Sequence, residues 1–262
     1  MNYNSLEVAK KARISSLKMT HESKASHIGS CLSVIDILTV TYIKKFENVN
    51  PKEFDVLLSK GHAAAALYSV LDAIDKLDFP LESYCKDSSP LYGHVNHHAS
   101  PHIPLSTGSL GHGLPYSVGI ALAKKMNGTE NKTIVVMSDG ECDEGTTWES
   151  AMIASHHKLT NLVAIIDRNR IQSLGNTEEI LQLEPLKEKW TNFGWNVIEI
   201  DGHNHDEIHK NITIKAENPT CIIANTTKGK GVNFMENSLA WHYKSPSKEE
   251  LISAIELVSK EK

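Results

Sequence analysis

Residues 135–145 read "VVMSDGECDEG" and join an apolar, β-branched run to a turn of small and acidic residues. Such a run is typical of a buried strand. The turn crowds together the carboxylates of Asp139, Glu141, Asp143 and Glu144. Neighbouring carboxylates repel one another unless solvent or a cation compensates their charge. The stretch is therefore either a hydrated surface turn or half of a metal site.

Around this stretch, strand-like and helix-like segments alternate. The predicted strands are "DVLLS", "TIVVMS", "NLVAIID", "WNVIEID" and "TCIIANT". Helices are predicted in the first forty-odd residues, where "SKASHIGS" separates two of them, in "AAAALYSVLDAI", after the glycines of "GSLGHG", and around 146–158, 185–193 and 205–216. This alternation indicates βαβ units, and strands that are apolar on both faces indicate two-sided burial. We predict a doubly wound α/β fold, with a mainly parallel sheet and helices on both faces.

Length and composition limit the class of protein. The chain has 262 residues, of which 40% are hydrophobic and 23% charged, so we expect one globular domain over 1–262 with a C-terminal extension at about 227–262. A net charge of −5 disfavours nucleic acid and anionic lipid as partners. No apolar run approaches the ~18 residues of a membrane span, and no signal-peptide core is evident. We expect a cytoplasmic protein whose four scattered cysteines are reduced.

Polar residues follow two of the predicted strands. Asp139 ends one, and Asp167 and Asn169 end the next, with Asn169 standing 30 positions after Asp139. Ligands of parallel sheets bind beyond the carboxyl ends of the strands. Mg²⁺ prefers hard oxygen ligands and keeps phosphate oxygens and water among them. Asp139, the Asn169 amide oxygen and a nearby backbone carbonyl would make half of such a set, and Gly140 would let a phosphate approach the backbone.

"SDGECDEG" followed by "DRNRI" resembles the thiamine diphosphate signature, in which an Asp-Gly pair is completed by an Asn after the next strand. Five further segments resemble the transketolase family in the family's order: "LSKGHAAAALY", "GHVN", "TGSLGHGLPYSVGIALA", "EGTTWESAMIASHHKLTNL" and "TTKGKG". The resemblance runs from about residue 25 to 245. It implies a thiamine diphosphate-binding fold, thiamine diphosphate and Mg²⁺ as cofactors, and transfer of a two-carbon ketol unit from a ketose to an aldose.

The resemblance also implies roles for individual residues. Asp139, Asn169 and the Ile171 carbonyl would hold Mg²⁺, and Gly140 would lie beside the diphosphate. The residues expected to line the cofactor are Gly108, Ser109 and Leu110. The alternative for Asp139 is a surface turn. Without the resemblance, Gly108 and Gly111 could equally be ordinary glycines at a helix start.

Four histidines match family histidines by their flanking sequence. Imidazole suits proton transfer and hydrogen bonding to sugar hydroxyls near neutral pH. The resemblance gives His62 a contact with the diphosphate, gives His27 and His94 contacts with the donor ketose and proton transfers, and gives His242 contacts with both cofactor and substrate. His62, His94 and His242 could each instead be a helix cap or a buried, satisfied imidazole. We expect surface or packing positions for His97, His98, His102, His156 and His157, and assign no role to His112.

In the transketolase family, a glutamate on a second α/β domain activates thiamine diphosphate. This chain ends at Lys262, just past the first domain of the pattern, so we expect the N-terminal subunit of a split transketolase. Its partner would be a C-terminal subunit that carries the pyrimidine-binding domain, in a heterotetramer. The resemblance places Glu144 in a carboxylate network that reaches the partner's glutamate, with Glu149 near the cofactor at that interface. An acidic first helical turn would also explain both residues.

Some positions depart from the family pattern. Ser138 replaces a glycine, "HIGSCLS" replaces a His-Pro-Gly-Ala run, and the loop at 86–106 has few arginines for a sugar phosphate. We expect Arg168 and Arg170 to be solvated at the surface. The sequence leaves the donor and acceptor sugars open. Alternative functions are a subunit of a thiamine-dependent 2-oxo acid decarboxylase or dehydrogenase, a non-catalytic cofactor-binding module, and a histidine-rich metal binder.

Overall fold

The computed structural model describes residues 3–47, 54–129 and 131–260, and within them one parallel sheet forms the centre of the fold. Its strand order is β1-β2-β3-β5-β4, and each neighbouring pair is parallel. The strands are β1 (Phe54–Leu58), β2 (Lys132–Ser138), β3 (Leu162–Arg168), β4 (Asn196–Asp201) and β5 (Thr220–Asn225). Each lies within one residue of its predicted segment at either end.

Helices cover both faces of the sheet, as predicted. They are α1 (Ser5–Ser23), α2 (Ile28–Glu47), α3 (Ala64–Ala73), α4 (Gly113–Met126), α5 (Gly145–His156), α6 (Thr177–Ile180), α7 (Leu186–Asn192), α8 (His205–Ile212) and α9 (Lys248–Lys260). Successive residues of a strand point to opposite faces, so Ile134 and Val136 of β2 enter a core with α1, α2, α3, α8 and α9. Val135 and Met137 enter a second core with α4, α5 and α7.

The segment predicted as a C-terminal extension returns to the start of the chain. Ala254 and Val258 of α9 enter the first core, and Lys10 Nζ donates to the Ser259 carbonyl at 2.8 Å. The C-terminal segment therefore packs against the start of the chain and contributes to the same core. Residues 261–262 of the extension lie outside the described residues. Among the described helices, none is long and apolar enough to cross a lipid bilayer.

Two local predictions need correction. The helix predicted over 205–216 ends at Ile212, where the chain turns through Thr213 toward β5; β-branched residues follow, and these favour helix less than straight-chain residues do. The sequence pattern also missed the short helix α6, which lies between β3 and α7. All four cysteines are free thiols, as expected, and Cys85 is the exposed one among them.

A buried carboxylate links α1, α2 and the turn between β4 and α8. Asp36 of α2 is 3% exposed. It accepts hydrogen bonds from Arg13 at 2.5 Å, from His203 Nδ1 at 2.7 Å and from His205 Nε2 at 3.0 Å. Burial alone would raise the pKa of the Asp36 carboxyl, but the Arg13 charge and the two imidazole hydrogen bonds outweigh burial and hold the pKa well below its ordinary value. The carboxylate therefore stays ionised and anchors three elements.

We predict that Asp36→Asn lowers the free energy of unfolding by about 3 kcal/mol near neutral pH, because Arg13 is left as a buried cation without its counter-charge. The folded-state pKa of Asp36 lies below the unfolded value of about 3.9. Its contribution is therefore present above the unfolded pKa and is lost as pH falls through the folded pKa. Urea unfolding of wild type and variant over a pH series checks this.

The exposed Asp87→Asn is the control and should change stability by less than about 0.5 kcal/mol. A difference between wild type and Asp36→Asn that grows toward acid pH would contradict the prediction.

Candidate active site

A cavity of about 200 Å³ lies at the carboxyl edge of the sheet. It is bordered by the residues that follow β1, β2, β3 and β5. Most residues predicted from the sequence line it: His27, His62, His94, Gly108, Leu110, Asp139, Gly140, Asn169, Ile171 and His242. Two lysines that the sequence analysis did not single out, Lys60 and Lys228, line it as well. The fold thus brings distant motifs into one site.

Three imidazoles cluster around that of His27. The centre of the His27 ring lies 5.3 Å from that of His62, 5.7 Å from that of His94 and 5.0 Å from that of His242. His27 joins α1 to α2 with a φ of 76°, a conformation that is uncommon outside glycine. Its backbone N–H donates to the His242 carbonyl at 2.9 Å. This bond ties the start of α2 to the segment after β5.

Gly61 explains how His62 and His94 meet the loop at 107–110. A Cβ atom at Gly61 would lie 2.1 Å from the Thr107 carbonyl oxygen, so a side chain there would push the loop away. The Gly61 carbonyl accepts a hydrogen bond from Val95 N–H at 3.0 Å. A glycine at this position therefore brings three segments of chain together beside β1.

The buried imidazoles are held neutral. Burial, reinforced by the charges of neighbouring residues, lowers the pKa of His27 to about 4 and that of His242 to about 3. Burial also lowers the pKa of His62 well below its ordinary value, and the nearby Lys60 charge adds to this. A neutral imidazole offers one donor and one acceptor. The cluster is therefore suited to hydrogen bonding with hydroxyl groups and to proton transfer.

The two lysines differ in their partners. Lys60 pairs with Asp167 at 2.5 Å, and this charge outweighs burial and lowers the pKa of Asp167. Lys228 Nζ instead donates to the Ile171 carbonyl at 2.8 Å and lies 3.2 Å from His242 Nδ1. Burial and the Lys60 charge lower the pKa of Lys228 to about 8. Its positive charge faces the cavity and is available to an anionic ligand.

The oxygen atoms predicted to hold Mg²⁺ share the cavity. Asp139 Oδ2 accepts from the Arg170 N–H at 2.6 Å, and Asn169 Oδ1 accepts from the Ile171 N–H at 3.2 Å. Burial and the charge of Asp167 raise the pKa of Asp139. A bound cation would therefore stabilise the ionised form of the Asp139 carboxyl. Carboxylate, amide and carbonyl oxygens are hard ligands that suit Mg²⁺. The donor set therefore fits a Mg²⁺ ion that carries a diphosphate.

The acidic turn is not a hydrated surface turn. Asp139 and Glu141 are 1% and 0% exposed. Glu141 accepts hydrogen bonds from the Ser59 hydroxyl and from the Gly111 N–H, the latter at 2.9 Å. Asp143 is half-buried and accepts from Gln172 at 2.6 Å. The carboxylates face separate donors, and Glu141, which the sequence analysis left without a role, ties the glycine loop at 108–111 to the ends of β1 and β2.

The prediction that Arg168 is solvated at the surface is wrong. Arg168 is 2% exposed, because the segment at 177–184 folds over it and supplies partners. Its guanidinium donates to Asp139 at 3.3 Å, Glu178 at 2.9 Å and Glu184 at 2.8 Å. Arg170 is exposed, as predicted. Arg168 thus connects the proposed metal ligand Asp139 to a peripheral segment.

Three predicted residues lie outside the lining of the cavity: Ser109, Glu144 and Glu149, all exposed. Helix α5 begins at Gly145, so Glu144 occupies the N-cap position. The roles given to these three residues stay predictions.

The remaining histidines lie at surface or packing positions. His97, His98, His156 and His157 are exposed, and His102 packs edge-on against Phe46. His112 is exposed and its Nδ1 lies 3.0 Å from the Leu110 carbonyl oxygen. Only His112 among them therefore contacts the predicted cofactor loop.

We predict that Arg168→Met lowers the free energy of unfolding by about 2 to 3 kcal/mol, because Asp139 loses its buried counter-charge. The pairs with the half-exposed Glu178 and Glu184 add little. Arg170→Met, two positions away and exposed, should cost less than about 0.5 kcal/mol. Urea unfolding without added metal compares the two variants, and equal losses would refute the assigned role of Arg168.

A model of a protein family, described as the thiamine diphosphate binding domain of transketolase, matches residues 5–257. The chain is 39% identical to the apulose-4-phosphate transketolase subunit of Phocaeicola vulgatus, over 99% of this chain and 95% of that protein. It is also 39% identical to 6-deoxy-6-sulfo-D-fructose transketolase subunit SqwG of Clostridium sp. strain MSTE9, over 90% of this chain and 89% of that protein.

Longer transketolases match in part. Human transketolase is 35% identical over 91% of this chain but only 39% of its own length. The crystal structure of transketolase from Campylobacter jejuni superposes with a TM-score of 0.88 at 30% identity, covering 99% of this chain and 43% of that one. The predicted fold and family are confirmed. The chain belongs to the transketolase family, and the part of the family that it represents is the thiamine diphosphate-binding domain.

Proposed function

We propose that the chain is the N-terminal, cofactor-binding subunit of a thiamine diphosphate-dependent transketolase, which transfers a two-carbon ketol unit from a ketose to an aldose. The observation that carries the proposal is the shared cavity, which is lined both by Asp139, Asn169 and Ile171 and by the four clustered histidines. The same cavity offers a cation site and neutral imidazoles, and transketolase chemistry needs both.

In this proposal, Mg²⁺ binds to oxygen atoms of the chain, and the diphosphate binds to nitrogen atoms. Asp139, Asn169 and the Ile171 carbonyl would hold Mg²⁺, while Lys228 and His62 would face the diphosphate. Lys228 points into the cavity from the segment after β5, and His62 from the turn after β1. When bound, thiamine diphosphate supplies a carbanion that can attack a ketose carbonyl and so permit cleavage of the adjacent C–C bond.

The chain's own contribution to the reaction would come from its imidazoles. His94 is exposed at the mouth of the cavity, whereas His27 and His242 are half-buried. Neutral rings at these depths can hydrogen-bond successive sugar hydroxyls, and can accept or return a proton at a ring nitrogen. Because burial keeps His27 and His242 uncharged, each ring would offer one donor and one acceptor at neutral pH. Lys228 Nζ lies 3.2 Å from His242 Nδ1, so the donor of His242 would be its Nε2–H.

A second protein chain would complete the site. The relatives from Phocaeicola vulgatus and Clostridium carry the word "subunit" in their names and match this chain over most of their length. Glu144 and Glu149 are exposed at the start of α5, where a docked pyrimidine-binding domain could reach them. We propose a C-terminal partner that supplies the activating glutamate, in a heterotetramer.

The cofactor part of the proposal is tested by Asp139→Asn, which keeps the shape of the side chain but removes the charge that attracts Mg²⁺. We expect the Mg²⁺-dependent affinity for thiamine diphosphate, measured by isothermal titration calorimetry, to fall by about 100-fold or more. Asp87→Asn, at an exposed position, is the control. Unchanged affinity in Asp139→Asn would place the metal elsewhere.

The catalytic part is tested by reconstitution. We expect the purified chain to be inactive on ketoses, because the activating glutamate lies on the partner. Adding a pyrimidine-domain subunit, sought in a neighbouring reading frame, with thiamine diphosphate and Mg²⁺ should restore ketol transfer. The assay would measure the aldose that the donor ketose releases. Cofactor binding without turnover in the presence of that subunit would favour a non-catalytic module.

A further inference from the structure

His203 lies behind the cavity, in the turn between β4 and α8. Its Nδ1 lies 2.7 Å from Asp36 Oδ2, and its Nε2 accepts a hydrogen bond from the Thr227 N–H at 2.9 Å. A backbone N–H can only donate, so Nε2 carries no hydrogen and Nδ1 carries the one that Asp36 accepts. The two partners therefore fix both the tautomer and the orientation of the ring.

Thr227, which donates to His203, lies in a turn whose neighbouring residues on both sides bond to residues of the active site. Thr226, before Thr227, donates its hydroxyl hydrogen to Asp167, the partner of Lys60. Lys228, after Thr227, donates to the Ile171 carbonyl at 2.8 Å. Thr226 therefore bonds to Asp167, Thr227 to His203, and Lys228 to the proposed metal ligand Ile171. A displacement of Thr227 would move both of its neighbours.

We infer that His203 is a positioning residue of the active site: the Asp36–His203 pair holds the turn at 226–228 so that the Lys228 ammonium points into the cavity. The pair is a rigid support, since Asp36 is also bonded to Arg13 and His205. This inference rests on the proposed function for the identity of the ligand, thiamine diphosphate with Mg²⁺. The placement of Lys228 follows from contacts within the chain.

His205 provides a matched control. It donates to the same Asp36 carboxylate, with Nε2 at 3.0 Å from Oδ1, but its Nδ1 faces the Ser5 hydroxyl at 2.8 Å, at the start of α1. Replacing His205 therefore removes one of the donors to Asp36 without touching the turn at 226–228. A general loss of stability should follow both His203 and His205 replacements, whereas displacement of Lys228 should follow only the first.

Two replacements of His203 separate its hydrogen bonds. The amide nitrogen of Asn is as many bonds from Cβ as Nδ1, so His203→Asn can keep the bond to Asp36 and loses the acceptor for Thr227. The amide oxygen of Gln is as many bonds from Cβ as Nε2, so His203→Gln can accept from Thr227. We expect His203→Asn to weaken binding of thiamine diphosphate at saturating Mg²⁺ by about tenfold or more. His205→Asn should change it by less than about threefold. His203→Gln keeps the acceptor for Thr227 but loses the bond to Asp36, so its effect should lie between those of the other two variants.

A second measurement needs no ligand. In ¹⁵N-histidine NMR of the wild-type chain, His203 should show the Nδ1–H tautomer. Lys228 Nζ lies 3.2 Å from His242 Nδ1, so His203→Asn should shift the His242 resonances while His205→Asn leaves them in place. Equal effects of His203→Asn and His205→Asn on both measurements would overturn the inference. Failure of the wild-type chain to bind thiamine diphosphate in the presence of the partner subunit would instead count against the proposed function, and the NMR comparison would still decide the role of His203.

Discussion

Lys60 and Asp167 form an ion pair between the ends of β1 and β3, and both side chains are completely buried. Taking two charges out of water is costly, and a buried pair is stable only when further hydrogen bonds satisfy its remaining atoms. Asp167 also accepts from Ser33 at 2.7 Å and from Thr226, and Lys60 donates to the Ser30 carbonyl at 3.3 Å. These partners come from α2 and from the segment after β5. The geometry of the carboxyl edge therefore depends on keeping this one pair satisfied.

With Asp167 neutralised by Lys60, the cavity still contains two groups whose charges are only partly compensated. Burial raises the pKa of Asp139 and lowers that of Lys228, so each group is shifted toward its neutral form. A ligand with charge of only one sign could compensate the charge of only one of these two groups. A divalent cation that carries a diphosphate would relieve both, because the cation lies at the carboxylate and the anion at the ammonium. This charge balance is independent physical support for the proposed cofactor.

The parts of the structure that were predictable from sequence are those with a local signal. The strands follow from their β-branched runs, and Asp139 and Asn169 from their position just after two of them. The residues that were missed, Lys60, Asp36 and His203, act through distant partners. Lys60 bonds to Asp167, 107 positions away, and Asp36 bonds to His203, 167 positions away. Arg168 was misassigned because its burial depends on a segment that folds over it. The periodicity of apolar residues along the sequence contains no information on such long-range contacts.

Different regions of the cavity would serve substrate recognition and ketol transfer. Two relatives with the same 39% identity are named for different sugars, apulose 4-phosphate and 6-deoxy-6-sulfo-D-fructose. Overall similarity therefore does not determine the sugar. The cavity floor, with its buried lysines and neutral imidazoles, would serve the ketol transfer that is common to such enzymes. Differences between sugars would be recognised at the mouth, where His94 is exposed. Because the partner chain would border the same mouth, we expect donor specificity to be set by both chains together.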